Sequence, residues 1–260
     1  TASRQAVLNR TQALYDISLW QLALIAVAAM LTAVIGGVAG YGTGALMPLI
    51  LVPIVGAEPV VPIIALAALF SNASRAIVFR RSIVWPRALV VLVAAGPTCA
   101  LGAWGYTLLS GRGALLVIGS MMVASVPLRR IMHRRGFRLG RPGLVAAACG
   151  WGVVVGGTTG SGAMLLALLM AAGLEGAAVI ATDAAISIAT GLIKVGVFGI
   201  AGAVSAPVIA VAVLIGTAAF PGAFLAKALL NRMPLSVHTA ILDAVVLLGG
   251  ALMIAGAARA

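Results

Sequence analysis

Gly36-Gly37-Val38-Ala39-Gly40-Tyr41-Gly42 and Gly156-Gly157-Thr158-Thr159-Gly160-Ser161-Gly162 are two copies of one pattern, Gly-Gly-x-x-Gly-x-Gly, set 120 residues apart in a chain of 260. Each copy sits inside an apolar stretch. A glycine costs a helix about 1 kcal/mol relative to alanine, so a cluster of four opens the helix where it falls. In a bilayer such an opening is tolerated only where protein or a water-filled cavity satisfies the freed backbone groups. The duplication reads as two related halves, each carrying a Gly-rich broken or re-entrant helix.

The membrane setting follows from composition. The chain is 63% hydrophobic and 8% charged, with a mean hydropathy of +1.20. A soluble globule of this size with that composition would expose large apolar patches. The net charge of +12 comes from basic residues clustered between apolar spans, where positive charge reports orientation, and it implies no nucleic-acid partner. Cys99 and Cys149 are far apart and lack metal-type spacing, so free thiols are expected, with no metal and no cofactor.

A spanning helix needs about 20 apolar residues. Eight segments are expected to span, at 17–38, 59–79, 88–109, 113–128, 143–158, 177–200, 206–227 and 236–257. Two shorter apolar pieces, 44–55 and 163–174, each follow a glycine cluster and read as re-entrant segments or second halves of broken helices. The expected fold is therefore an all-α polytopic membrane protein of about eight transmembrane helices in two homologous four-span halves. Its parts are a cytoplasmic tail at 1–16, a first repeat at 17–128, a basic linker at 129–142 and a second repeat at 143–260. Arg80, Arg81 and Arg87, and the linker arginines from Arg129 to Arg141, mark cytoplasmic loops. Arg112, Lys227 and Arg232 fall on the other side. Eight crossings put both termini in the cytoplasm of a plasma-membrane protein and make the two repeats point the same way, unless a short segment crosses. The linker arginines serve as a topology anchor or as an anionic-lipid contact, with His133 solvated among them.

Function should lie with polar residues inside the spans, because an ionisable side chain at mid-bilayer costs at least about 2.5 kcal/mol. Asp183, Ser187, Thr190 and Lys194 are spaced by 4, 3 and 4 residues and share one helical stripe. The first half offers Ser71, Asn72 and Arg75. Aligning Val78-Phe79 with Val197-Phe198 sets Arg75 opposite Lys194 and Ser71 opposite Thr190. Two cations near a pseudo-symmetry axis suit an anion; the bland alternative is that both snorkel to lipid headgroups. Asp183 must be protonated, paired with a cation or open to a cavity. It is the proton-coupling candidate, against a structural carboxyl held between helices. Lys194, about 16 Å along the helix axis, is too far to be its partner. Glu58 and Glu175 mark matching loops and read as helix-capping acids; Asp243 lies five residues after His238 and carries no assigned role.

The glycine clusters supply the other half of an anion site. A helix that restarts in mid-membrane presents unpaired N–H groups at a terminus whose dipole favours negative charge. Tyr41 and Thr43 accompany the first cluster, and Thr158, Thr159 and Ser161 the second. The alternative is that small residues merely allow close helix packing. The expected substrate-binding set is Gly40, Tyr41, Gly42, Thr43, Ser71, Asn72, Arg75, Thr158, Thr159, Gly160, Ser161, Gly162, Thr190 and Lys194, with Asp183 as the proton-coupling group.

Taken together, the glycine motifs Gly36 to Pro48 and Gly156 to Leu168, the polar runs Ser71 to Arg75 and Asp183 to Lys194, and the basic loops after them resemble the sulfite exporter TauE/SafE family over residues 20–257. Leu168 stands where the first copy has Pro48, a departure from symmetry between the two broken helices. The resemblance implies a secondary transporter, commonly an exporter, of sulfite, sulfonates or related small organic anions. It implies no catalytic residue. The expected partners are the small anion and the bilayer, and the apolar exterior leaves a homo-oligomer open. Two other classes compete. A passive anion channel would use the same cations. An intramembrane serine hydrolase would pair Ser161 with His238, but it would have no use for the serine-free first copy of the glycine motif.

Overall fold

The computed structural model describes residues 17–39, 42–135, 138–229 and 235–259, with side-chain surroundings for all of these except 35–39, 42, 129–135, 222–229 and 235–242. Among the described residues there are ten α-helices: α1 (Leu19–Ala39), α2 (Gly42–Val55), α3 (Val60–Val78), α4 (Trp85–Thr107), α5 (Gly111–Arg135), α6 (Arg141–Gly157), α7 (Gly162–Ala171), α8 (Ala177–Ile200), α9 (Ala206–Leu229) and α10 (Leu235–Arg259). By length and composition, α3, α4, residues 111–128 of α5, and α8 each suffice to cross a membrane. Shorter apolar stretches lie in α1, α2, α7 and α9. The chain is a multi-pass membrane protein.

Local sequence sets the helix starts. Ser18 and Gln21 open α1 as a capping box: the Gln21 N–H donates to Ser18 Oγ at 3.3 Å and the Ser18 N–H to Gln21 Oε1 at 2.9 Å. Pro86 and Pro142 occupy the first turns of α4 and α6, where a missing N–H costs nothing. Glu58 and Glu175, the acids expected near the starts of α3 and α8, each lie one residue before the cap position. Those cap positions are Pro59 and Gly176, without a side-chain capping bond.

Each half holds five helices, because the short pieces 42–55 and 162–171 that follow the glycine clusters are helices in their own right. α1 pairs with α6, α2 with α7, and so on to α5 with α10. Every major packing pair has its counterpart when the halves are exchanged: α4 on α6 matches α9 on α1, and α4 on α8 matches α9 on α3.

Equivalent helices run in opposite directions, so the repeat is inverted. On α3 and α8, Arg75 meets Asp183 while Ala65 and Leu69 meet Gly191, an antiparallel register. On α5 and α10, Gly119 faces Met253 and Ile254 while Met122 and Val123 face Gly250, again antiparallel. By contrast α4 runs parallel to α6, with Ala95 at Gly152 and Cys99 at Gly156. It also runs parallel to α8: Val84 N–H donates to Thr182 Oγ1 at one end, and the Tyr106 and Phe198 rings meet edge-on at 6.1 Å at the other.

The short helices explain the inversion, since each doubles back on its predecessor and adds a pass that leaves an odd count per half. Leu139 N–H donates to Ala171 O at 2.8 Å, tying the approach to α6 to the end of α7 and closing a hairpin. Helices α1 and α2, about 31 and 21 Å long by residue count, pack on each other across a two-residue connection. Laid end to end they would far exceed a hydrocarbon core of about 30 Å. The α6–α7 hairpin enters from the end of the bundle holding Arg80, Arg81, Arg87, Arg138 and Arg141, the basic face. The α1–α2 hairpin enters from the opposite face, where Ala57 O accepts from Tyr106 Oη at 2.9 Å.

Two orientation expectations are thereby corrected. Ile17 and Arg259 lie on the same face as each other, but on the face opposite the basic loops, so basic loops and both chain ends are not on one side. Lys227, in the last turn of α9, sits toward the basic face and not beside Arg112.

The apolar core forms two clusters. One unites α4, α6, α7 and α8 through residues such as Val91, Leu144, Leu165, Leu169 and Ile186. The other gathers α1, α2, α3, α5 and α9, with the ends of α4 and α8 and part of α10, around Ile25, Met47, Leu51, Ile63, Ile118 and Ile215. The N-terminal part of α4 thus packs with the second half and α9 packs with the first, so the spatial units interleave the two sequence repeats.

Candidate functional site

The two hairpin tips touch. A Cβ on Gly44 would lie 3.0 Å from Gly160 N, and one on Gly160 3.3 Å from Ala45 Cα, so any side chain there would press on the backbone of the other tip. Gly160 also has φ +80°, the left-handed region in which the chain turns from α6 into α7. Trp151 braces this turn: its indole N–H donates to Ser161 O at 3.2 Å.

Beside the tips lies a cavity of about 170 Å³, room for one small anion. Thr43, Ser71, Asn72, Arg75, Thr158, Thr159, Gly160, Ser161, Gly162, Asp183, Thr190 and Lys194 all line it. Of the other expected residues, Gly40 and Tyr41 lie outside the described residues, and Gly42 is described as the first residue of α2 without its surroundings. The structure adds Gly44, Trp151, Val155, Ser187 and Gly191, with small or apolar walls from Ala33, Ile64, Ala65, Ala68 and Ala219. Ser187 was already on the polar stripe; Trp151, five residues before Gly156, had no signal of its own.

The register that sets Arg75 against Lys194 gives five lining pairs, namely Ile64 with Asp183, Ala68 with Ser187, Ser71 with Thr190, Asn72 with Gly191 and Arg75 with Lys194. Because α3 and α8 cross antiparallel, the two cations do not sit side by side on an axis. Arg75 is toward the basic face and Lys194 toward the other.

Arg75 Nη1 contacts Asp183 Oδ2 at 3.3 Å, and its other amino group donates to Asn72 Oδ1. Asp183 is 1% exposed and the Arg75 side chain 24%. The carboxylate is held by one oxygen only; Asp183 Oδ1 is buried without a hydrogen-bond partner. Lys194 is also buried, and its ammonium donates to Thr158 O at 2.9 Å. Among the described residues no carboxylate lies within salt-bridge distance of it. Neither cation matches the snorkelling alternative in geometry: one is paired inside the bundle, the other fixed to a hairpin carbonyl.

The hydroxyls differ from one another in what they offer. Thr158 Oγ1 donates to Val154 O, Thr190 Oγ1 to Ile186 O and Ser71 Oγ to Ala68 O, all within their own helices. Those protons are already engaged. Thr159 Oγ1 is buried and unpartnered, and so is free to donate into the cavity. Donors that remain at the cavity include Lys194, Arg75 and Thr159. Two cations and one carboxylate leave the site with a single net positive charge. An uncompensated buried ammonium is costly, and an anion bound beside it relieves that cost.

Other sequence candidates lie elsewhere. Glu58 is near Gly111 on the opposite face, and Glu175 is exposed before α8. Asp243 is buried in α10, and the side chains of His133 and His238 fall outside those described. Both cysteines are free thiols, Cys99 Sγ near Thr190 O and Cys149 Sγ near Ala94 O. Among the described residues no cluster of metal-ligating side chains occurs.

Neither a curated protein nor a solved structure matches the chain. A family model does, over residues 25–253, from the first helix to the last and across every cavity-lining residue. On that match the chain belongs to the sulfite exporter TauE/SafE family, whose members are membrane transporters and not enzymes.

Proposed function

We propose that this protein is a secondary active transporter of the plasma membrane that carries small sulfur-containing anions, sulfite or organosulfonates, through the cavity between its hairpin tips. Transport is coupled to the proton gradient, with Asp183 as the proton carrier. The observation that carries this reading is Lys194, a buried cation held on a carbonyl at the tip of a re-entrant hairpin with no described carboxylate beside it. Inverted repeats that meet at discontinuous helices near mid-membrane favour alternating access, because exchanging the conformations of the two halves turns an inward-open site into an outward-open one. The basic face is taken as cytoplasmic from its excess of arginine, which puts Ile17 and Arg259 on the outer side.

The test is uptake and counterflow of labelled sulfite, taurine and sulfoacetate in proteoliposomes, with and without an imposed pH gradient. Saturable, counterflow-competent accumulation that follows the proton gradient is expected. Protein-dependent flux that neither saturates nor shows counterflow would make the cavity a channel, and no flux of any of the three would remove sulfur anions as substrates.

A further inference from the structure

The two-fold relation between the halves fails at one charged position. Lys194 has its counterpart in Arg75, but Asp183 corresponds to Ile64, and both of these line the cavity. One cation is therefore held by a carboxylate while its equivalent is not. The hold is also weak for an arginine and a carboxylate: a single contact at 3.3 Å, with Asp183 Oδ1 left without a partner. A bidentate fork would use both oxygens. A carboxylate placed to fix Arg75 permanently would have its second oxygen satisfied as well, since a buried unpaired acceptor is costly.

We infer that the two pseudo-equivalent cations do different work. Lys194 is the standing anchor for the anion, and Asp183 is a tethered stand-in anion that occupies Arg75 until the substrate displaces it. This rests on the reading of the cavity as an anion site. An incoming monoanion is held first by Lys194 and the Thr159 hydroxyl, then takes the Arg75 N–H groups from Asp183. The released carboxylate, still buried, takes one proton from solution. One anion and one proton enter together, so the net charge of the site does not change.

Other ionisable groups around Asp183 are few. Arg75 faces it from α3, and Arg80 and Arg81 are exposed in the short turn Arg80–Ser82 that packs on α8. Helix α4 contributes half-buried Arg87 and buried Cys99, the latter beside Thr190. Helix α6 offers exposed Arg141 and Cys149, which is turned to Ala94, and α7 has no ionisable residue. No second carboxylate shares the site among the described residues, so proton uptake on anion binding belongs to Asp183.

The test is binding of methanesulfonate, a monoanion at all working pH values, to the purified protein by calorimetry, with proton uptake read in weak buffer. Wild type is expected to take up about one proton per anion and to bind more weakly as pH rises, since proton and anion binding favour each other. Asp183→Asn removes the competitor and should bind on the order of tenfold tighter at neutral pH, without proton uptake or pH dependence. Arg75→Gln combined with Asp183→Asn removes both ends of the pair and leaves no unpaired buried carboxylate. It should bind with near wild-type affinity and no proton uptake, and it serves if the single variant does not fold. Lys194→Met should lose at least tenfold in either background. Weaker binding by Asp183→Asn, or proton uptake persisting in either variant, overturns the stand-in role. If wild type binds neither methanesulfonate nor sulfite, the anion-site reading itself fails, a result separate from any comparison of variants.

Discussion

Gly156→Ala adds one methyl group where α4 and α6 meet backbone to backbone, and it should be among the most damaging small substitutions in the chain. The new Cβ would lie 2.1 Å from Cys99 O, 2.8 Å from Ala103 N and 2.9 Å from the Cys99 carbonyl carbon. A carbon–oxygen contact is comfortable at about 3.3 Å, so the helices must part by roughly 1 Å. All three obstructing atoms are backbone, and no rotamer relieves them. The same seam holds Gly102, whose Cβ would meet Val153 O at 2.2 Å, and Gly152, which would meet Ala95 O at 2.6 Å. Parting at one point therefore loosens neighbouring contacts, and a 0.5–1 Å gap forfeits about a quarter to a half of each dispersion well. Overpacking costs about 1–3 kcal/mol where side chains adjust; here about 3 kcal/mol is expected. Gly150, on the exposed side of the same helix with open space around it, is the control. Gly150→Ala should gain up to about 1 kcal/mol of helix propensity. Unfolding in mixed micelles by SDS titration, followed by tryptophan fluorescence, should separate the two variants by about 4 kcal/mol, close to three decades in equilibrium constant. Equal stability of the two would refute the close α4–α6 contact.

Trp151→Phe should keep the apolar packing but lose the indole bond to Ser161 O, costing about 1 kcal/mol of stability; transport by the same variant should show a raised KM, because Ser161 and Gly162 line the cavity beside that bond. Orientation is checked with single cysteines in a background lacking Cys99 and Cys149. On whole cells a membrane-impermeant maleimide should label Glu58→Cys and spare Arg81→Cys, and the reverse pattern would invert the proposed topology.

The polar stripe on α8 and its partner on α3 were legible as sequence because helical spacing alone puts 183, 187, 190 and 194 on one face. The glycine repeat likewise marked both hairpin tips. What spacing could not supply was direction. A 14-residue and a 10-residue apolar helix look alike whether each crosses, stops or doubles back, and that choice decides whether the halves point the same way. The partner of Asp183 was hidden for the same reason: Arg75 comes into reach only because α3 and α8 cross antiparallel. The cap positions themselves fall to Pro59 and Gly176, one residue after Glu58 and Glu175, a one-residue offset that composition does not reveal. Trp151 could not be found from pattern, since an indole in an apolar helix carries no mark of the carbonyl it serves.

The exchange of fourth helices has a bearing on biogenesis. The core formed by α1, α2 and α3 is not closed until α9 has been synthesised and inserted, well over a hundred residues later. During that interval the first hairpin, with proline-bearing α2, has no α9 against which to pack. The nascent chain must wait in the insertion machinery or in lipid with this element unsupported. A ribosome pausing after the basic linker would thus leave an incomplete assembly and not a finished half. Two separately expressed halves should be degraded when made alone and rescue each other when made together.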